Sequence, residues 1–334
     1  MIWTPATARA ARRIATAAAL GGGGVTALGA AMYVLLNAEA MVARKLVGRP
    51  HGMDGPASDG LYGEWPAHAG GEPARPITMV MLGDSTSVGL GVTDPADTPA
   101  VIIANGLAAA AGRPVRLDVF GRSGAISADL SHQVDRALKT RPEIAVIFVG
   151  ANDVTAKVKP ADAVGHLREA VARLREAGAE VVVGTCPDLG TIRPIAQPLR
   201  WVTQRWSRQL AAAQTVAVIE EGGRTVAFAD VLGPEFATYP GEMFGPDRYH
   251  PSARGYQRSA YVVLPSVCAA LGIGPEAEPE RGEGSQSIYL AAAKAAEESG
   301  TEVTATHVAG RATGPHGRWA MILRRRPGAM PRSA

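Results

Sequence analysis

The chain has 334 residues, of which 46% are hydrophobic and 19% are charged, and its formal net charge is +3. This composition is typical of a globular protein with a substantial core, and it excludes a disordered chain. The charge is small, and the arginines collect at the two ends of the chain without interleaved aromatic residues, which argues against nucleic acid as a partner. The two cysteines, Cys186 and Cys268, are too few for a disulfide framework or a paired CxxC metal site, and the sequence leaves open whether they bond to each other.

The first part of the chain, residues 1–46, is expected to be a signal or transmembrane segment. Three arginines precede a stretch without a charged residue, 14–36, which is about as long as a helix that crosses a bilayer. We favour an uncleaved anchor, because the stretch is longer than the apolar part of a usual signal peptide. The alternatives are a signal peptide cleaved at the small-x-small pattern Ala38-Glu39-Ala40 and a buried core helix. With an anchor or a signal peptide, the rest of the chain is held at the cell membrane or exported, and we expect it outside the cytoplasm.

The central part of the chain, residues 77–274, predicts an α/β domain behind a Gly- and Pro-rich linker, residues 47–76. Five short apolar runs, each followed by glycine or by a small or acidic residue, are typical of buried parallel strands. They lie at 77–83, 115–121, 144–150, 180–186 and 224–230, and segments with helical spacing separate them. Strands that alternate with helices predict a parallel sheet covered on both faces, with its functional site at the carboxyl ends of the strands.

After this domain, a charged linker, 275–284, precedes a C-terminal appendage of unknown role, 285–334. Within the appendage, "EVTATHV" and "GRWAMILRRR" are two candidate strands that could pair with each other. The basic end of the appendage has four interpretations: packing on the domain, contact with lipid headgroups, binding of a partner, or a solvated tail.

Four short motifs lie behind predicted strands or before the last predicted helix. "GDS" at 83–85 follows the first strand, "GRSG" at 121–124 the second and "GAND" at 150–153 the third, while Asp247 precedes His250 by three residues in "DRYHP". Taken singly, each motif has an ordinary structural interpretation, because serine and asparagine cap helices and glycine permits turns. Asp84 and Asp153 are interpreted as structural acceptors for nearby backbone N–H groups. The shared position at strand ends is what indicates a site.

Together, and in this order, the four motifs resemble the sequence blocks of the SGNH hydrolases, also called the GDSL family of esterases and lipases. The resemblance covers about residues 77–271. It implies a three-layer α/β/α, flavodoxin-like sandwich with five parallel strands in the order 2-1-3-4-5. It also implies that the loop "TCPDLG", residues 185–190, helps to wall a substrate cleft, and that no metal or organic cofactor takes part.

The same resemblance implies a role for each matched residue. Ser85 would be the nucleophile, His250 the general base and Asp247 the residue that orients the histidine. The backbone N–H groups of Ser85 and Gly124 and the side-chain amide of Asn152 would form the oxyanion hole. These roles agree with the chemistry, because a serine hydroxyl needs a neighbouring base and a tetrahedral oxyanion needs preorganised donors.

The resemblance therefore implies a serine esterase that hydrolyses carboxylic esters with short or medium acyl chains, or O-acetyl groups, by way of an acyl-enzyme. Its expected partners are small-molecule esters, lipids or acylated glycans as substrates, and the membrane through the N-terminal segment. The alternatives are an acyltransferase or deacetylase acting on cell-envelope glycans, a thioesterase, and a non-catalytic binding module. The sequence does not choose among substrates, because one fold hosts many functions, and it does not indicate the oligomeric state.

Overall fold

The structure, a computed structural model, describes residues 23–46, 54–63, 75–273 and 302–304. Its centre is a seven-stranded sheet. The strands are β1 (Gly60–Tyr62), β2 (Ile77–Gly83), β3 (Val115–Val119), β4 (Ile144–Phe148), β5 (Glu180–Gly184), β6 (Arg224–Val226) and β7 (Glu302–Thr304). Across the sheet they follow the order β1-β3-β2-β4-β5-β6-β7.

The five central strands, β2 to β6, run parallel to one another. Numbered by themselves, they lie in the order 2-1-3-4-5. The prediction of a purely parallel, five-stranded sheet is nevertheless incomplete, because β1 and β7 add antiparallel pairs at the two edges. Each edge strand has 3 residues, too few for an apolar pattern to predict it.

The two edge strands come from the segments that flank the predicted domain. β1 lies in the segment predicted as a linker, and its Leu61 pairs with Arg116 of β3. β7 lies in the predicted appendage, and its Val303 pairs with Thr225 of β6. The second candidate strand of the appendage, 317–326, lies outside the described residues. Parts of both flanking segments therefore belong to the main sheet.

Helices cover both faces of the sheet. They are α1 (Gly23–Leu46), α2 (Pro99–Ala111), α3 (Leu130–Ala137), α4 (Ala151–Thr155), α5 (Pro160–Glu176), α6 (Leu199–Glu220), α7 (Phe228–Val231), α8 (Gly233–Thr238), α9 (Pro240–Met243) and α10 (Ala253–Ala270). On one face α2 and α10 pack together over an apolar cluster that includes Met79 and Met81. On the other face α3 and α5 cover a cluster that includes Val80 and Leu82. Successive side chains of β2 enter different clusters, as the pleat of a strand requires.

Local signals explain where two of the long helices begin. The side chain of Thr98 accepts a hydrogen bond from the N–H of Val101, and Pro99 occupies the first position of α2. The side chain of Ser252 accepts from the N–H of Gly255 at the start of α10. This second cap matters for the site, because it marks the end of the loop that precedes α10.

Helix α1 covers part of the stretch predicted to cross a membrane, and residues 14–22 of that stretch lie outside the described residues. In the part of the chain that the structure describes, no helix combines the length and the apolar character that a bilayer crossing needs. The pattern Ala38-Glu39-Ala40 lies inside α1. Cleavage at this pattern stays a prediction.

Candidate active site

Strand β2 leads directly into the turn that carries Ser85. Gly83 ends the strand with a φ of +126°, and a Cβ at this position would lie 1.8 Å from the carbonyl oxygen of Phe148. Glycine meets both conditions, the positive φ and the close approach of β2 to β4. The N–H of Asp84 donates to the same carbonyl oxygen of Phe148 at 2.9 Å. The end of β2 is therefore fixed against the end of β4.

Hydrogen bonds also hold the turn that follows. The N–H of Leu90 donates to the carbonyl of Ser85 at 3.0 Å, and the N–H of Thr86 donates to Oδ1 of Asp84 at 2.9 Å. The hydroxyl of Ser87 donates to the carbonyl of Asp84 at 2.7 Å. Ser85 is 7% exposed and lines a cleft. Its side chain is thus presented to the cleft by a constrained turn.

Ser85, His250 and Asp247 form one line of short contacts. Oγ of Ser85 lies 3.0 Å from Nε2 of His250, and Nδ1 of His250 lies 2.6 Å from Oδ2 of Asp247. Both distances are typical of hydrogen bonds. They fit a neutral imidazole that carries its proton on Nδ1 and accepts the serine hydroxyl at Nε2.

The loop of Asp247 keeps its carboxylate ionised and in place. Oδ1 accepts the backbone N–H groups of Tyr249 and His250, at 2.9 and 3.0 Å. Burial alone would raise the pKa of Asp247, but the hydrogen bonds from the His250 side chain and from these N–H groups outweigh burial, so the pKa is lowered. The carboxylate is therefore charged at neutral pH, and it favours the imidazole tautomer with the proton on Nδ1.

Backbone contacts close the loop that carries Asp247 and His250. The N–H of Gly245 donates to the carbonyl of His250 at 2.8 Å, and Phe244 forms an antiparallel bridge with Pro251. The two ends of the loop are thereby tied together. This closure limits how far the carboxylate and the imidazole can move relative to each other.

Of the three residues predicted to supply oxyanion donors, Ser85 and Asn152 line the cleft. Asn152, in α4, lines the same cleft as Ser85, and its side-chain amide donates to the carbonyl of Ala125 at 3.0 Å. Gly124, with a φ of +78°, precedes Ala125 and is not among the described residues that line the cleft. Within the described part of the chain, the N–H groups of Ser85 and Gly124 have no hydrogen-bond acceptor. A primary amide has a second N–H, so the arrangement offers donors of the kind that stabilise an oxyanion.

Beyond Ser85 the cleft is mostly apolar. It holds about 800 Å³ of empty space, counting its open mouth. Its wall contains four phenylalanines and several aliphatic side chains, among them Phe148, Phe228, Phe236, Phe244, Leu189, Ile192 and Leu232. Phe148 and Phe228 meet edge to face with ring centres 4.8 Å apart. Residues of the loop 185–190 also line the cleft, which agrees with the wall that the resemblance implies. An apolar cleft with a few polar groups at one end suits an acyl chain with a reactive carbonyl.

Two buried carboxylates, Asp84 and Asp153, are the chain neighbours of Ser85 and Asn152. Asp84 is 3% exposed, and burial raises its pKa to about 6 although the N–H of Thr86 lowers it. Asp153 accepts the hydroxyl of Ser127 at 2.9 Å and also its backbone N–H, and burial raises the pKa of Asp153. Both aspartates accept hydrogen bonds from the backbone around the site, in agreement with their structural interpretation.

Two buried glutamines, which no motif of the sequence indicates, support the site. Gln133, in α3, accepts the N–H of Gly83 at 2.7 Å and donates to its carbonyl at 2.9 Å. Gln214, in α6, accepts the N–H of Cys186 at 2.8 Å and donates to the carbonyl of Val149 at 3.1 Å. Each side-chain amide forms hydrogen bonds with backbone N–H and C=O groups at the end of a strand, where the neighbouring strand no longer supplies partners. A polar residue at a buried helix position is the only signal for them in the sequence, and it does not name the partner.

The two cysteines are free thiols. Cys186 is fully buried, and burial raises its pKa well above the ordinary value. The Cys186 thiol is therefore protonated at neutral pH and is a poor nucleophile.

Comparisons with known proteins point to one family. The model of the GDSL-like lipase/acylhydrolase family matches residues 81–258. A GDSL-like esterase of Mycobacterium tuberculosis is 39% identical over 268 residues, which cover 77% of this chain and 83% of that protein.

Among solved structures, a catalytic mutant of an acetylxylan esterase from Geobacillus stearothermophilus is 17% identical, with a TM-score of 0.46, and covers 59% of this chain and 95% of its own. A lipase/acylhydrolase from Enterococcus faecalis is 21% identical, with a TM-score of 0.42, and covers 60% of this chain and 100% of its own. The family assignment rests on the family model and on the mycobacterial relative. On both, the chain belongs to the GDSL-like lipase/acylhydrolase family.

Proposed function

We propose that the protein is a serine esterase that hydrolyses carboxylic esters through an acyl-enzyme. Ser85 is the nucleophile, His250 the general base and Asp247 the residue that orients His250. The observation that carries the proposal is the line of contacts from Ser85 Oγ to His250 Nε2, at 3.0 Å, and from His250 Nδ1 to Asp247 Oδ2, at 2.6 Å. A serine hydroxyl becomes a competent nucleophile when a base within hydrogen-bond reach takes its proton.

In the first half of the reaction, Oγ of Ser85 attacks the acyl carbonyl carbon while Nε2 of His250 takes the hydroxyl proton. The tetrahedral intermediate then collapses, the bond to the alkoxy oxygen breaks, and His250 gives its proton to the leaving alcohol. In the second half, water attacks the acyl-enzyme and gives a proton to His250, which returns a proton to Ser85 as the carboxylic acid leaves. Asp247 stays ionised and stabilises the imidazolium in both halves.

The oxyanion formed in each half is assigned to three donors: the backbone N–H groups of Ser85 and Gly124 and the side-chain amide of Asn152. Support comes from the two N–H groups that have no acceptor in the described part of the chain. The contact of Asn152 with Ala125, at 3.0 Å, links the amide to the residue after Gly124. Preorganised donors of this type lower the barrier because they need no reorientation when charge develops.

The apolar cleft is assigned to the acyl group, which we propose to be of short or medium length. Support comes from the phenylalanine and aliphatic lining of the cleft. We assign the alcohol part of the substrate to the open side of the cleft. A cleft of this kind gains transfer free energy with each methylene that it buries, about 0.8 kcal/mol.

We further propose that the domain works at the cell membrane or after export, on the extracytoplasmic side. Support comes from the sequence alone, in the uncharged stretch 14–36 that follows three arginines. The N-terminal residue of the mature protein, read by mass spectrometry after fractionation of cells, tests this location. Recovery of the intact chain from the cytoplasm would contradict it.

The esterase proposal is tested with the full-length chain and p-nitrophenyl esters of increasing acyl length. Ser85→Ala is expected to abolish turnover, whereas Ser131→Ala, a serine of α3, leaves it unchanged. An organophosphonate that labels the wild type but not Ser85→Ala identifies the nucleophile by mass. A folded wild-type protein that neither hydrolyses any ester nor reacts with the phosphonate would exclude the proposal.

A further inference from the structure

Helix α1 turns an apolar face outward. Val34, Leu35, Met41 and Val42 are 50%, 43%, 58% and 52% exposed. They recur at i, i+1, i+7 and i+8, which is the spacing of one helix face, and the exposed Lys45 follows on the same face. These five residues are called the outer stripe.

Two polar side chains of α1, Asn37 and Glu39, fasten the helix to the domain. Oε2 of Glu39 accepts the N–H of Leu199 at 2.9 Å and so caps the first turn of α6. Oδ1 of Asn37 accepts from Nζ of Lys157 at 3.1 Å, and the same Nζ lies 5.9 Å from the ring centre of Tyr33. A surface helix usually buries its apolar face and exposes its polar face. Helix α1 exposes the apolar side chains of the outer stripe, and an exposed apolar patch of this kind marks an interaction surface.

The sequences of α1 and of the start of α6 are more basic than acidic. Glu39 is the one acidic residue in the sequence of α1, and its carboxylate is bonded to Leu199. Helix α6, which contacts α1, carries Arg200 and Arg205 in its first two turns, and the sequence from 189 to 219 has no acidic residue. Between these arginines Trp201 is 57% exposed. Exposed apolar, basic and tryptophan side chains together are the combination that binds the interface of an anionic bilayer.

We propose that the outer stripe docks on the surface of an anionic lipid bilayer, with Arg200, Trp201 and Arg205 beside it. The helix then lies along the interface and stays bonded to the domain through Asn37 and Glu39. A second copy of the chain fits this surface poorly, because the basic side chains Lys45, Arg200 and Arg205 of the two copies would face each other.

Docking in this way also orients the cleft. Lys157 follows α4, which carries Asn152, and Leu199 follows the loop that places Ile192 in the cleft wall. Helix α1 therefore contacts residues that follow two segments of the cleft lining in the chain. Held at a lipid surface, the cleft takes esters from the adjoining leaflet, a consequence that rests on the proposed esterase activity.

The test is co-sedimentation of the full-length chain with vesicles of phosphatidylcholine, with and without phosphatidylglycerol. Leu35→Glu combined with Met41→Glu is expected to weaken binding at least about tenfold, because each change removes a large apolar side chain from the interface. Leu61→Glu is the matched control, since Leu61 is 52% exposed but lies on β1. Arg200→Gln combined with Arg205→Gln is expected to weaken binding to the anionic vesicles alone, by about fivefold per arginine.

Turnover of a soluble p-nitrophenyl ester is measured on the same samples. Unchanged turnover with lost vesicle binding supports the proposal, and inactivity of every sample is a failure of the esterase assignment alone. If the Leu35→Glu, Met41→Glu variant binds vesicles as strongly as the wild type, the proposal is overturned. Failure of the wild type to bind anionic vesicles would also overturn it. A lipid-free dimer that this variant converts to a monomer in sedimentation velocity, with vesicle binding retained, would assign the stripe to a second copy.

Discussion

Oδ2 of Asp247 lies 2.6 Å from Nδ1 of His250, on the side of the ring opposite to Ser85. In Asp247→Asn the side-chain amide donates to Nδ1, which moves the imidazole proton to Nε2, where it faces the serine hydroxyl. We expect kcat/KM to fall by about 10³ to 10⁴ with little change in melting temperature. Asp162→Asn, at the start of α5, is the control. A folded Asp247→Asn protein with nearly full activity would remove Asp247 from the mechanism.

Asp84 makes stability depend on pH. Its folded pKa, about 6, is raised above its ordinary value of 3.8. The stability that its protonation contributes is therefore fully present below about pH 4 and lost as the pH rises through about 6. Asp84→Asn keeps an acceptor for the N–H of Thr86 and carries no charge, so we expect it to be more stable than the wild type above about pH 7, by about 3 kcal/mol, and to lose this advantage near pH 4. Urea unfolding at both pH values checks this, and a pH-independent difference would contradict it.

Asn152 is expected to act mainly in the transition state. Asn152→Ala removes one oxyanion donor, so we expect kcat to fall by about 10² to 10³ while KM changes little. Asn105→Ala, at an exposed position of α2, serves as the control. Steady-state kinetics separate the two parameters. A rise in KM with kcat intact would assign Asn152 to substrate binding instead.

Gly83 is expected to tolerate no side chain. In Gly83→Ala the new Cβ would lie 1.8 Å from the Phe148 carbonyl oxygen, at a φ of +126°. We expect a loss of at least about 3 kcal/mol in the free energy of unfolding, or no folded protein. Gly241→Ala, where nothing lies within 4 Å of the added Cβ, is expected to change stability by less than about 1 kcal/mol. Chemical denaturation compares the two, and equal effects would refute the close approach of β2 and β4.

The acyl cleft is tested by a matched pair of isoleucines. Ile192 and Ile195 are 4% and 7% exposed, and of the two Ile192 lines the cleft. Ile192→Trp fills apolar space, so we expect the kcat/KM for p-nitrophenyl octanoate relative to the acetate to fall at least about tenfold. Ile195→Trp is expected to lower stability without changing this ratio. Identical chain-length profiles in both variants would place the acyl group elsewhere.

Much of the site was accessible from the sequence because parallel strands end at one edge of a sheet. The motifs with Ser85 and Asn152 follow β2 and β4, and the Asp247 and His250 pair precedes α10. Family resemblance supplied the roles. The apolar runs also predicted the five central strands, because strands buried on both faces must be continuously hydrophobic.

Other features carry too little local signal to be predicted. Strands β1 and β7 form by pairing with β3 and β6, and three residues are too few to show a hydrophobic alternation in the sequence. In the sequence, Gln133 and Gln214 look like ordinary polar helix residues. Their hydrogen bonds to the strand ends form only when the helices pack on the sheet. The uncharged stretch 14–36 predicts a membrane-spanning segment, whereas the polar contacts of α1 with Lys157 and Leu199 depend on how the helix meets the domain.

By itself, the sequence determined the alternation of strands and helices, the family, and the residue types available for catalysis. These properties depend on burial patterns and on turn residues that are close together in the chain. The tertiary structure alone decided the 3.0 Å contact between Ser85 and His250, which are 165 residues apart, the apolar cleft beside them and the outward face of α1. Such contacts between distant residues arise only when whole elements pack, because no local pattern specifies the distance between two side chains on different elements.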